Sequence, residues 1–215
     1  PRWEASNLKQ ILLNALNMNK KYLLATQELY QDPTTQKISY KLARKEAFLA
    51  ISNLNASFQR LTQDPKSKQQ EFQLIYEMVT LNQTMVSAIA SIGTFVIHHK
   101  TTAASEEFNR VVLKISNTLE ISCDHLMNKK NKKIRTTQHT EVPKDSLLKT
   151  YQKLSTLRDE NIRKGNTELD LTTLHGLQEA YLIANHMNWL QSLSENLKKT
   201  TESYQQSRAI ALERS

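Results

Sequence analysis

Apolar residues recur along this chain at alternating steps of four and three, sustained over long uninterrupted stretches. Ile11, Ala15, Met18, Tyr22, Ala25 and Leu29 set the rhythm. With 3.6 residues per turn, that spacing lines one side of an α-helix, whereas a strand would need strict alternation. Only 3 Gly and 4 Pro stand among 215 residues, too few for the tight turns of a sheet protein. The chain is therefore expected to be all-α, an elongated bundle of about six long helices, mostly antiparallel. Helices of about 28 residues would each span roughly 42 Å, a rod-like domain.

The first helix reads from about Asn7 to Gln31. Asp32-Pro33 closes it and opens the second, with Asp32 as N-cap and Pro33 at the first helical position. The second ends at Asp64-Pro65, and its inner stripe is Ala43, Ala47, Ala50, Leu54, Phe58 and Leu61. The recurring Gln-Asp-Pro is punctuation, because the flanks do not match and the helices are too long for solenoid repeats. From Met78 to Ile97 no residue is charged, a run long enough to span a bilayer. Yet Thr80, Thr84, Ser87, Ser91 and Thr94 share one face, while Leu74, Met78, Leu81, Met85, Ala88, Ile92 and Phe95 form a stripe elsewhere. That pattern reads as the central helix of a soluble bundle, with Gly93 at a close helix crossing.

Phe108, Val112, Ile115, Leu119 and Leu126 mark a fourth helix, opened by Glu106 and Glu107 where the helix dipole favours acids. Periodicity then lapses, leaving 129–142 as a basic mobile loop. A fifth helix runs from about Lys144 to Lys164 and stops at Gly165, suited to a left-handed C-terminal position. The sixth starts near Asp170 and continues past Trp189, with Leu171, Leu174, Leu182, Trp189 and Leu193 on one face. From Thr200 onward the chain is more polar and is expected to fray.

No glycine-rich phosphate loop, nucleophile elbow, HExxH or CxxC pair occurs. His98 and His99 are adjacent and so diverge. His175 and His186 are too far apart along one helix to share an ion, roughly 16 Å by axial rise. Cys123 excludes an internal disulfide and reads as a small hydrophobe beside Leu119 and Leu126. Neither catalytic, cofactor-binding nor metal residues are assigned, and no enzyme activity is expected.

Net charge is +8, but Lys129, Lys130, Lys132, Lys133 and Arg135 carry much of it; without them the excess is +3. This cluster reads as a solvated loop, or as a contact for anionic lipid at about 1 kcal/mol per basic residue. Nucleic acid would call for interleaved aromatics or a recognition helix, neither of which is visible, so none is expected. Trp3 suits a membrane interface, or equally the cap of the bundle core.

Two stretches carry a family resemblance. RKEAFLAISNLNASFQRLTQDP presents Arg44, Lys45, Ala47, Asn53, Asn55, Phe58, Gln59, Arg60 and Asp64-Pro65. LNQTMVSAIASIGTFVIHHK presents Leu81, Thr84, Ile92, Gly93 and His98 or His99, with Gln83 where the family pattern has His. These resemble the helical cytoplasmic domain of fusaric acid resistance (FUSC) proteins, bacterial inner-membrane transporters, in the YccS/YhfK-like branch. The likeness covers about the first hundred residues.

The resemblance implies that 1–215 is a single cytoplasmic domain excised from a larger membrane protein. The family is associated with export of aromatic carboxylic acids. This part would then serve assembly or regulation on the cytoplasmic side of the inner membrane. Its implied partners are the transmembrane portion, a second copy of the chain and an anionic lipid surface. Arg44, Lys45, Asn53, Asn55, Gln59 and Arg60 become candidates for inter-domain or inter-helix contact. Trp3, Lys129, Lys130, Lys132, Lys133 and Arg135 become candidates for a membrane-proximal set. A free-standing helical adaptor, or a basic lipid-surface or nucleic-acid binder, are the alternatives.

Overall fold

Six helices succeed one another: α1 (Arg2–Gln31), α2 (Lys37–Thr62), α3 (Gln69–His98), α4 (Glu106–Leu126), α5 (Ser146–Arg163) and α6 (Leu171–Glu213). They come from a computed structural model that describes residues 2–63, 69–128, 146–165 and 171–213. No strand occurs among the described residues. The fold is the expected all-α bundle, but its six helices are not equivalent.

Four of them form the core. α1 packs on α3 and α4, and α6 packs on the same two helices, while α1·α6 and α3·α4 are diagonals. Side-chain pairs give the directions. Lys20 meets Glu120 and Gln27 donates to Asn109, so α1 and α4 are antiparallel. Arg208 faces Glu71 near the start of α3, and Glu179 reaches Thr102 beyond its end, so α3 and α6 are antiparallel too. The parallel neighbours α1/α3 and α4/α6 each need a return path. α2 supplies the first, against α1 and α3, and α5 supplies the second, against α6 and the edge of α4. Two topologically equivalent three-helix units, α1–α3 and α4–α6, thus face each other.

The return helices are seated very differently. α2 presents Ala43, Ala47 and Ala50, each no more than 2% exposed, with Tyr40, Ile51, Leu54 and Ser57. Short side chains let the backbones close up. At Gly93 on α3 the approach is tightest, since a β-carbon there would lie 2.2 Å from the Tyr40 hydroxyl oxygen. The close crossing expected at Gly93 is therefore made by Tyr40. That hydroxyl also lies 3.0 Å from the Tyr22 hydroxyl, tying α2 to α1. α5, in contrast, buries none of its side chains.

Several local expectations are corrected. α2 begins at Lys37 and not at Pro33, because Asp32 caps a turn instead of the helix. Its carboxylate accepts from the backbone N–H and hydroxyl of both Thr34 and Thr35. Those bonds, the Thr34 hydroxyl first, hold Asp32 down at about 2. α1 starts at Arg2, ahead of the expected Asn7. Trp189 is 48% exposed and does not share the buried face of α6, which runs through Leu177, Ile183, Met187, Leu190, Leu193 and Leu197. The C-terminal run does not fray at Thr200, for the helix continues to Glu213 and buries Thr200, Thr201 and Tyr204.

Other expectations hold. The polar face of α3 points outward, and Thr80, Thr84, Ser87 and Ser91 each donate to the carbonyl four residues back. Ser105 caps α4 by accepting from the Phe108 N–H, just ahead of Glu106 and Glu107. Gly165 adopts φ 85 at the end of α5. Cys123 is buried in the core cluster, where burial pushes its thiol up to about 11. The expected basic loop lies outside the described residues.

Candidate functional site

The residues expected to make contacts on the second helix divide in two. The buried stripe of α2 puts Ile38, Leu42, Lys45 and Leu49, spaced four, three and four, on the opposite side. Ile38 is 81% exposed, Leu42 53% and Leu49 58%, so among the described residues nothing covers the ridge. Arg44, Lys45, Asn53, Gln59 and Arg60 are exposed on that outer side or its flank. The Arg44 guanidinium sits 5.5 Å from the centre of the exposed Phe48 ring.

Asn55 alone of these candidates turns inward. Asn55 accepts a 2.5 Å bond from Gln83 Nε2, joining α2 to α3 as expected of it. The donor stands where the family pattern carries His. Arg60 folds back on its own helix and donates to Ser57 Oγ at 2.8 Å. Asn53, expected to bond between helices, is instead exposed.

Of the residues expected near a membrane, the structure describes the backbone position of Trp3, at one end of the bundle. α1 begins there, and Asn17 meets Cys123 at 3.9 Å, so α4 ends there too. Lys9 and Asn128 line one recess with His125, Tyr204 and Arg208. Trp3 lies in the first turn of α1. Lys129, Lys130, Lys132, Lys133 and Arg135 lie outside the described residues.

No group of three or more His, Cys, Asp or Glu side chains is arranged to hold a metal among the described residues. His99 stacks on Phe95 with ring centres 4.3 Å apart, and His175 is exposed. Sequence reasoning missed one buried cluster at the opposite end of the bundle. Glu179, 6% exposed on α6, accepts from the Tyr30 hydroxyl of α1 at 2.5 Å and from the Thr102 hydroxyl at 2.8 Å. The Thr102 N–H lies 3.1 Å from both carboxylate oxygens. Burial first, then the bond to Glu179, pushes the Tyr30 phenol well above its usual range, which keeps it a donor. These partners are 149 and 77 residues from Glu179, so no local motif announces them.

The chain is similar to an inner-membrane protein. A stretch of 93 residues, 43% of the chain, is 27% identical to "Inner membrane protein YccS" of Escherichia coli (strain K12). The matched stretch spans 13% of the length of YccS. No family model matches the chain, and no solved structure matches it. Within the described residues one helix segment, Glu71–His98 of α3, is long and apolar enough to cross a bilayer, with mean hydropathy 1.3. Of that span's most apolar window, 44% is buried inside the bundle against α1, α2 and α6.

Proposed function

We propose that this chain is the cytoplasmic helical domain of a bacterial inner-membrane transporter of the fusaric acid resistance type. It acts by protein contact, through the outer face of α2, and not by chemistry of its own. The observation that carries the reading is the uncovered ridge of Ile38, Leu42 and Leu49 on a domain similar to part of an inner-membrane protein. Singly exposed leucines are ordinary; three in heptad register on one helix are the pattern by which helices pair.

The occupant of that ridge is another segment of the same membrane protein. Lys37, Lys41, Arg44 and Lys45 flank the ridge, and the acidic Glu46 is already paired with Lys21. A two-fold contact with a second copy would bring these cations together, whereas an acidic segment would neutralise them. A basic chain also suits the cytoplasmic side, where Lys and Arg concentrate near membrane spans. In this reading the end where α1 begins and α4 stops faces the bilayer. The translocation path belongs to the remainder of the longer protein, and this domain assembles or regulates it.

The test is a photo-crosslinking residue placed at Leu49 in the full-length protein in bacterial membranes. The expected product is an intramolecular crosslink to an acidic segment outside this chain, lost on placing the probe at Thr84 instead. A crosslink only between two copies, or none, would overturn the choice of occupant.

A further inference from the structure

A cavity of about 470 Å³ opens between α5, α6 and the segment joining α3 to α4. Leu147, Leu154 and Leu157 of α5 wall one side, and Leu177, Ala180 and Ile183 of α6 wall the other. The buried Glu179 also lines it, together with its partners Tyr30 and Thr102. This size is typical of small-molecule pockets, which pair mostly apolar walls with a few polar groups.

The charge arrangement is unusual. Among the described residues the three donors to Glu179 are neutral groups, namely the Tyr30 hydroxyl and the amide and hydroxyl of Thr102. Among the described residues no cationic side chain forms an ion pair with it. Arg158, the cation on the cavity wall, donates instead to Asp159 at 3.0 and 2.7 Å and to Ser155 at 3.5 Å. A buried carboxylate without a counter-ion is a costly arrangement that a bound cation relieves.

Gly176 is the second sign. It stands inside α6 on the cavity wall, where glycine costs about 1 kcal/mol relative to alanine. A β-carbon there would meet nothing within 4 Å, so no close packing requires it. Its missing side chain leaves the cavity open.

We infer that this cavity binds a small amphipathic organic cation, a primary amine on an aromatic body, with the ammonium on Glu179 and the ring among the leucines. An ammonium supplies the charge-assisted bonds that the neutral donors do not. A carboxylate ligand of the same shape is repelled by Glu179. A neutral one gains only the apolar contacts. The inference does not depend on the role given to α2.

The test titrates the whole chain at neutral pH with 1-naphthylmethylamine, 1-naphthylmethanol and 1-naphthoate, by calorimetry. The expected result is saturable single-site binding of the amine, at least about 10-fold tighter than the alcohol, and no binding of the naphthoate. Glu179→Gln is expected to erase the preference of amine over alcohol. Gly176→Phe, which fills open space and leaves the Tyr30–Glu179–Thr102 bonds in place, is expected to abolish binding of both. Should Glu179→Gln fail to fold, the amine-to-alcohol ratio in the unsubstituted chain and the Gly176→Phe result decide alone. Absence of saturable amine binding, tighter binding of naphthoate, or amine binding unchanged by Gly176→Phe would overturn the inference and leave Glu179 as a structural link between helices.

Discussion

The Tyr40 ring occupies the space in which a side chain at Gly93 would have to stand. A β-carbon there would lie 2.2 Å from the hydroxyl oxygen and 2.5 Å from two ring carbons. Tyr40 is 1% exposed and its hydroxyl is engaged by Tyr22, so the ring has nowhere to retreat.

Gly93→Ala is therefore expected to destabilise the fold by about 1–3 kcal/mol, the usual cost of overpacking, despite the better helix propensity of alanine. Gly176→Ala is expected to act in the opposite direction, gaining up to about 1 kcal/mol, because nothing opposes the new methyl group. Urea unfolding midpoints of the two variants check this directly. A loss at both positions, or at neither, would contradict the packing described.

The α1/α3 contact contains a buried amide pair. Asn19 Nδ2 donates to the Asn82 backbone oxygen at 3.2 Å and to its Oδ1 at 3.0 Å, and Asn82 Nδ2 donates to the Met78 carbonyl at 2.9 Å. Among the described residues Asn19 Oδ1 has no hydrogen-bond partner. Replacing Asn82 alone by Ala is expected to cost about 1–3 kcal/mol, since it removes a partner from a buried polar group. Replacing both by Leu removes the polar requirement, and the double variant is expected to approach or exceed the stability of the parent. A double-mutant cycle measured by chemical denaturation reads the coupling, and simple additivity would contradict it.

Three buried phenols make the fold sensitive to alkali. Tyr22, Tyr30 and Tyr204 are all raised from the ordinary value of 10.0, in each case chiefly by burial. The folded chain keeps these protons at a pH where the unfolded chain releases them. Stability is thus whole below pH 10 and falls as pH rises above it, by up to about 1.4 kcal/mol per pH unit for each phenol. Tyr22→Phe is expected to flatten that decline by the share of one proton. Unfolding free energies between pH 8 and 11 test the slope, and an unchanged slope would sink the assignment.

The outer face of α2 separates stability from association. Leu42→Asp with Leu49→Asp alters two exposed positions, so the isolated chain is expected to keep its stability within roughly 0.5 kcal/mol. In the full-length membrane protein, Leu42→Asp alone is expected to remove the crosslink from a probe at Leu49. A fall in the thermal midpoint of the isolated chain would show that the ridge serves the fold instead.

Helix number, the inner stripe of α2, the polar face of α3 and the closeness at Gly93 were all legible in the residue pattern, because each depends on local spacing or on one small side chain. α1 was read too narrowly. Beside the expected stripe it buries Leu12, Leu16, Leu23 and the polar Asn19 and Thr26, for it packs on α2, α3 and α4, reaches α6 through Tyr30, and needs a wide inner surface. Trp189 misled through its size, although the inner face of α6 is built partly from Gln191, Ser194, Thr200 and Thr201. Ser194, Thr200 and Thr201 satisfy themselves on carbonyls of their own helix, which lets a polar run stay buried. Glu179 was invisible for another reason: a lone acid on a helix reads as solvated until its distant partners are known.

The measurement that bears most directly on the account is the location and sidedness of the full-length protein. With this chain detected by antibody in the full-length protein, the account predicts recovery in the inner-membrane fraction. It also predicts digestion of this chain by added protease in inverted vesicles and protection in intact spheroplasts. A soluble product, or digestion from the outer side in spheroplasts, would contradict it.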